Sequence, residues 1–163
     1  MSQDSDQNNP IKWQVTDPPQ RRIRVIAIGI FLHEDHIFVF EGYDYVKKET
    51  FYRPLGGEVE LGERGMEALT REIREEIQAE IEDIRCLGMI ENIFTLNGGP
   101  GHEIVLVYSA RFRDEKMYDT DRVVDGEEEA GPIRAAWIHL DKFRTVELIL
   151  YPAGLLAFMR TSL

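Results

Sequence analysis

Three glutamates, Glu72, Glu75 and Glu76, stand at i, i+3 and i+4 in the stretch GEVELGERGMEALTREIREEIQA, residues 57–79. At about 100° per residue, that spacing puts their carboxylates on roughly one third of a helix circumference. Met66, Leu69, Ile73 and Ile77 fall on an adjoining arc, so the helix has an apolar side to pack and an acidic flank beside it. Glu72 and Glu76 are like charges one turn apart, which weakens a helix by roughly a few tenths of a kcal/mol. Arg71 can pair with Glu75 at i+4 and recover part of that. Such a cluster needs a cation nearby, or enough water to screen it. Carboxylate oxygens on a rigid helix suit a hard, oxygen-seeking ion such as Mg²⁺. The competing description is an acidic solvated face, which is what most charge runs are.

Two neighbouring features favour chemistry. A glycine-rich turn (Pro54, Leu55, Gly56, Gly57) leads into the helix, and Glu63 stands at its start. The pattern resembles the Nudix hydrolase signature, G-x5-E-x7-R-E-U-x-E-E-x-G-U with U aliphatic. Gly57 is its glycine and Glu63 its first glutamate; Arg71, Glu72 and Ile73 are its R-E-U, and Glu75 and Glu76 its E-E. Gln78 stands where the pattern asks for glycine, followed by Ala79.

The resemblance implies an α/β/α sandwich with a mixed β-sheet, covering roughly residues 22 to 160. It implies a metal-dependent hydrolase cleaving a phosphoanhydride bond in a nucleoside diphosphate linked to another moiety, with Mg²⁺ or Mn²⁺ as cofactor. Glu75 and Glu76 resemble metal ligands, and Glu72 a ligand or the base for the attacking water. The Gly56 carbonyl resembles a ligating position, which would account for the missing side chain there. Arg71 and Glu63 look like residues that hold the loop and carboxylates in place. Arg53, Gly57 and Tyr52 are candidates for substrate binding. Many family members add a carboxylate from a loop before a strand tryptophan. Here the run Glu127, Glu128, Glu129 precedes Trp137, and the order of preference is Glu128, Glu129, Glu127. The downstream proline typical of ADP-ribose hydrolases and the NADH-type SQPWPF run are both missing. That tilts the substrate toward nucleoside triphosphates, oxidised ones included. The alternative is a catalytically silent Nudix-fold nucleotide-binding or regulatory module. A homodimer is an expectation at family level only.

Composition limits the partners. The chain has 163 residues, 43% hydrophobic and 30% charged, with a formal charge of −11. That charge opposes stable nucleic-acid or anionic-membrane binding. It also opposes an anionic substrate, unless cations at the acidic helix invert the local field. Cys86 is the only cysteine, so no intrachain disulfide forms and a cytoplasmic setting fits. Its apolar neighbours suggest a small core residue. No apolar run is long enough to span a membrane, and the polar start is no signal peptide.

The expected organisation is a mobile arm over residues 1–20, with Trp13 and Val15 docking on the domain, and one domain over residues 21–163. Arg22 to Leu32 reads as a buried strand, returning through a His33–His36 turn as a hairpin with Ile37 to Phe40. Both histidines read as solvent-exposed. Glu41 to Thr50 reads as a charged loop. Ile84 to Leu96 and Glu103 to Phe112 are partner strands around a glycine turn. Residues 113 to 132 lack apolar periodicity and read as a surface loop. Ile133 to Leu140 is a last strand. Phe143 to Leu150 and Pro152 to Met159 read as helical. Gln78 and Glu80 are good helix formers, so the acidic helix is expected to continue toward Ile81.

Overall fold

A computed structural model gives the structure of residues 22–128 and 131–163. The expected arm and Glu129 lie outside the described residues. Strand β1 (Arg24–Ile30) turns Ala27 to one side and Ile26, Ile28 and Ile30 to the other. Strand β3 (His36–Asp44) likewise splits Phe38 and Phe40 from Ile37 and Val39. Both are apolar in sequence because both faces are buried. One core packs helix α1 (Gly65–Ile77) against Ala27, Phe38, Phe40 and Leu55. The other packs helices α2 (Asp141–Arg144) and α3 (Leu155–Ser162) against Ile26, Ile28, Val105 and Val107. Helices therefore cover both sides of the strands, as an α/β/α sandwich should.

The strand layer consists of two sheets. The first runs β5 (Gly56–Glu58), β1, β7 (Gly99–Phe112), β6 (Ile81–Leu96), and is mixed because β1 and β7 are parallel. The second runs β2 (Leu32–His33), β3, β9 (Gly131–His139), β8 (Val123–Glu128), with β4 (Glu49–Arg53) also on β3. Among the described residues no helix is long and apolar enough to cross a membrane.

Several local expectations change. The first hairpin is only the short β2–β3 pairing, since β1 crosses to the other sheet and lies between β5 and β7. Glu41 to Thr50 is a β-hairpin rather than a loop; Asp44 caps its turn by accepting from the Val46 and Lys47 N–H groups at 2.9 and 2.8 Å. The supposed loop 113–132 holds a 3-10 turn, Glu115–Tyr118, and strand β8. Ordering there comes from Trp137, whose Nε1 donates to the Met117 carbonyl at 2.6 Å. The helix expected over Phe143 to Leu150 stops at Arg144, and the chain then bonds to β4 through Tyr52 N to Ile149 O and Tyr151 N to Tyr52 O, both 2.8 Å. The last helix starts at Leu155, later than expected.

Cys86 is exposed rather than buried. His33 and His36 are half-buried, packed against the Trp137 and His139 rings respectively. On α1, Met66 is exposed and Ala68 joins Leu69, Ile73 and Ile77 on the buried face. Fully burying side chains such as Leu69 and Ile73 stabilises by about 1.5–3 kcal/mol each, which outweighs the repulsion on the acidic flank.

Helix α1 does not continue. It ends at Ile77, and Gln78 takes a left-handed conformation with φ 56° and ψ 32°, its N–H donating to Arg74 O at 3.0 Å. The signature's glycine would adopt this geometry without strain, whereas a Cβ costs roughly 1 kcal/mol. Gln78→Gly should therefore raise the melting temperature by about 2–4 °C. Activity should stay within about tenfold, because the glutamates lie upstream of the cap. A melt unchanged or lowered would show that the cap is not strained.

Candidate active site on helix α1

Arg71 is the hub of the acidic helix. Its Nε and one terminal nitrogen donate to the two Glu63 oxygens at 2.9 and 3.0 Å, a bidentate pair. The other terminal nitrogen donates to Glu72 Oε1 at 2.7 Å and Glu75 Oε2 at 3.2 Å. A further bond, 3.0 Å to the Glu58 carbonyl, ties the helix to β5. The guanidinium thus stays charged, and it holds the Glu63 carboxyl below its usual range. Arg71 thus joins Glu63, Glu72, Glu75 and the Glu58 carbonyl in one network.

Glu76 has a different environment. It is 4% exposed, and the hydrogen bond it accepts at the glycine turn comes from Gly56 N at 3.2 Å. Among the described residues no Lys, Arg or His forms an ion pair with it. Burial, then the nearby Glu128 and Glu72 charges, push its carboxyl well above the ordinary range, against a weaker opposing effect of Arg53. Glu72 is raised as well, first by burial; Arg71 opposes the shift, and Glu75 and Glu128 add to it. Glu75 is 60% exposed and lies at the edge of the group.

Two glycines make this crowding possible. A Cβ at Gly57 would run into the Glu72 carboxylate, and one at Gly126 into the Glu76 carbonyl. At Gly126, β8 therefore lies directly on the last turn of α1. Strand alternation then sends Val124, Gly126 and Glu128 toward the helix and leaves Asp125 and Glu127 exposed. The Glu128 charge acts on Glu76 and its side chain is half-buried, so the structure brings Glu128 to the cluster, whereas Glu127 is exposed. A groove of about 440 Å³ opens beside the helix end, lined by Glu75, Glu76, Gln78, Arg122 and Glu127 among others. Gly56 lacks a side chain because β1 is close: a Cβ there would meet the Ala27 carbonyl.

Arg53 and Tyr52 are adjacent on β4 and so face opposite ways. Arg53 lies over the Phe40 ring at 5.6 Å and reaches Glu76 electrostatically. Tyr52 packs against Phe143 in the other core and donates to Glu41 at 2.9 Å, so it does not join the cluster. Arg53 also lines a narrow cleft between the two sheets, about 50 Å³, together with Phe51, Phe94, Tyr151, Asn92 and Glu103. Phe51 stands next to the glycine turn in sequence, where a base or sugar contact is expected; the other four carry no site signal in sequence, since strand register and sheet packing alone bring them together.

The donor set suits a divalent cation. A buried carboxylate with no cationic partner, flanked by two more, is stable as an anion only beside added positive charge. The oxygens are not closed around a centre, and among the described residues no three His, Cys, Asp or Glu side chains form a ready cage. Glu72 is turned onto Arg71 and Glu75 toward water.

The NUDIX domain family model matches residues 20–154. Among solved structures, the MutT NUDIX hydrolase of Burkholderia pseudomallei is similar with a TM-score of 0.62 and 22% identity, over 85% of this chain and 98% of its own. A NUDIX hydrolase of Nitrosomonas europaea is similar with a TM-score of 0.61 and 18% identity, over 85% and 87%. An ADP compounds hydrolase gives 0.58 and 16%, over 87% and 74%. A comparison with curated proteins finds no match. Identities this low speak for a shared fold.

Two outcomes follow from the electrostatics. Glu76 is raised above its ordinary 4.5, so the folded chain keeps a proton that the unfolded chain has released. Its stabilising contribution is complete below that value and is lost as pH rises toward the folded value. In chelator, melting temperature should fall between about pH 5 and pH 8, and Glu76→Gln should flatten the fall. A variant that falls as steeply as wild type would contradict the assignment. Arg71→Ala leaves Glu63 and Glu72 facing Glu75 without a counter-ion, and should cost about 2 kcal/mol in denaturant unfolding, discounted for partial exposure. A loss below about 0.5 kcal/mol would reduce Arg71 to an ordinary surface pair.

Proposed function

This chain belongs to the NUDIX family and is a hydrolase of that family, and on that premise we propose that it cleaves a phosphoanhydride bond in a nucleoside diphosphate linked to another moiety, at the carboxylates of Glu72, Glu76 and Glu128. The observation that carries this is the environment of Glu76: buried, flanked by two carboxylates, and with no ion-pair partner among the described residues. Mg²⁺ or Mn²⁺ is the proposed ion, held by Glu76 with Glu72 and Glu128, and with Glu75 after a side-chain rotation. When bound, such an ion offsets phosphate charge and lowers the pKa of an attacking water.

The remaining roles belong to the chain. Phosphoryl chemistry needs positioning and charge more than covalent steps. Arg71 fixes Glu72 through the 2.7 Å bond, and Glu63 fixes Arg71. Glu72 is buried enough to have its carboxyl raised, which suits accepting a proton from water better than exposed Glu75 does. Arg53 lies between the acidic group and the inter-sheet cleft, where it can clamp a phosphate whose nucleoside enters that cleft. Gly57 lets substrate and Glu72 approach closely. Nucleoside triphosphates, oxidised ones included, are the favoured substrates. Fold likeness does not choose among substrates, since a MutT NUDIX hydrolase and an ADP compounds hydrolase are both similar.

Incubation with nucleoside triphosphates, nucleotide sugars and dinucleoside polyphosphates, with and without Mg²⁺ or Mn²⁺, tests the proposal. Hydrolysis that depends on the ion is expected. Binding without turnover would instead identify a silent nucleotide-binding module. Glu76→Gln should lower kcat about a hundredfold or more at unchanged fold. Glu128→Ala should lower kcat more than it raises KM, as for an interaction made chiefly in the transition state. Wild-type rates in Glu76→Gln would reject the site.

A further inference from the structure

One face of the first sheet is only partly covered. Alternation turns Val25 and Ala27 of β1, Ile104 and Leu106 of β7, and Met89 and Ile93 of β6 to the side that carries α1. Ala27, Leu106 and Met89 form one row across the strands, and Val25, Ile104 and Glu91 form the next. Helix α1 reaches the first row: a Cβ on Gly65, its first residue, would run into Leu106 and the Tyr108 hydroxyl. Ala27 is fully buried, whereas Val25 is 40% exposed, Met89 59% and Ile93 73%. Among the described residues β6 is also the last strand of its sheet, so its outer side is open too. Single exposed apolar residues need no explanation, but a contiguous apolar patch marks a contact surface.

The chain itself carries a segment that fits. Residues 1–21 precede β1 in sequence and lie outside the described residues. Apart from Met1 and the prolines, their apolar side chains are Ile11, Trp13 and Val15, alternating with Lys12, Gln14 and Thr16. That period of two gives residues 11–16 one apolar side. Residues 17–21 can span up to about 17 Å. β6 lies two strands from β1, about 10 Å away, so the patch is within reach. Pro18 and Pro19 reduce the freedom that docking removes. Charge favours this segment over a second copy. It carries Lys12 and no acid, and the patch carries Glu91, whereas a second chain of net charge −11 brings more negative surface.

We propose that residues 11–16 dock on this face of their own chain, with Ile11, Trp13 and Val15 against Val25, Met89, Ile93 and Ile104. The contact takes Met89 and Ile93 out of water. It also screens the open side of β6, which would otherwise invite pairing with other chains. The inference rests on packing and charge alone and is independent of the proposed reaction.

Trypsin cleavage of the full chain after Lys12, followed by mass spectrometry, tests it, because the rate tracks the undocked population. Wild type should be protected at Lys12. Ile93→Asp puts a charge under apolar side chains and should speed the cut by at least about tenfold. Val146→Asp, at an exposed apolar position just after α2, should leave it unchanged. Val15→Asp, made in the segment itself, should match Ile93→Asp and serves if that variant melts lower. Cleavage of wild type as fast as of Ile93→Asp, or equal acceleration in Val146→Asp, would overturn the proposal. So would wild-type protection that fades on dilution as a sedimenting dimer dissociates, since the face would then belong to a second copy.

Discussion

Glu76 is a carboxylate out of water and under the charges of Glu128 and Glu72, and that raises the free energy of the folded chain. Much around it can be understood as holding this arrangement in place. The apolar arc of Leu69, Ile73 and Ile77 anchors α1 in a core, so the acidic flank cannot swing out into solvent. Arg71 neutralises the outer carboxylates, Glu63, Glu72 and Glu75, and ties them to β5. Glu76 and Glu128 are left as the uncompensated pair. Positive charge brought in with a substrate would act where the protein has left a deficit.

The same logic assigns the glycines. Gly57 gives up its side chain to Glu72, and Gly126 gives up its own so that β8 can rest on the end of α1. Close approach rather than flexibility is their function. It is also what turns a charged, unperiodic stretch into a strand that delivers Glu128 to Glu76. Once β8 is fixed, alternation decides which glutamate faces the helix and leaves Glu127 exposed.

What was legible in the sequence follows from the range of the interactions. The helix, the Leu69, Ile73 and Ile77 part of its buried face and the Arg71–Glu75 pair are encoded within one or two turns and were legible, whereas Met66 is exposed and the helix stops at Ile77. Glu128, first in the expected order, lies beside Glu76, and Glu129 is outside the described residues. Other features depend on distant partners. β8 carries a charged run that a loop would share, and only Gly126 against the helix distinguishes it. β1 and β3 have the pattern of a hairpin, yet β1 is claimed by β7, nearly eighty residues on in the chain, an interaction that local pattern does not reveal. Tyr52 and Arg53 were grouped by proximity in sequence, whereas a strand separates neighbours onto opposite faces. Gln78 looked like a helix former because propensity is a local average; the turn into β6 demanded a left-handed residue regardless. Asn92 and Glu103 left no signal, since their pairing depends on the register of a hairpin with irregular pairing at its far end.

The central claim is that this helix gathers carboxylates for a cation the chain does not itself supply. Titration of the folded protein with Mn²⁺, followed by the loss of free-ion signal in electron paramagnetic resonance, tests that claim without reference to any substrate. Saturable binding is expected in wild type, weakened by at least about tenfold in Glu76→Gln, as befits removal of a charged ligand. Equal affinity in the two proteins, or no saturable binding in wild type, would contradict the account.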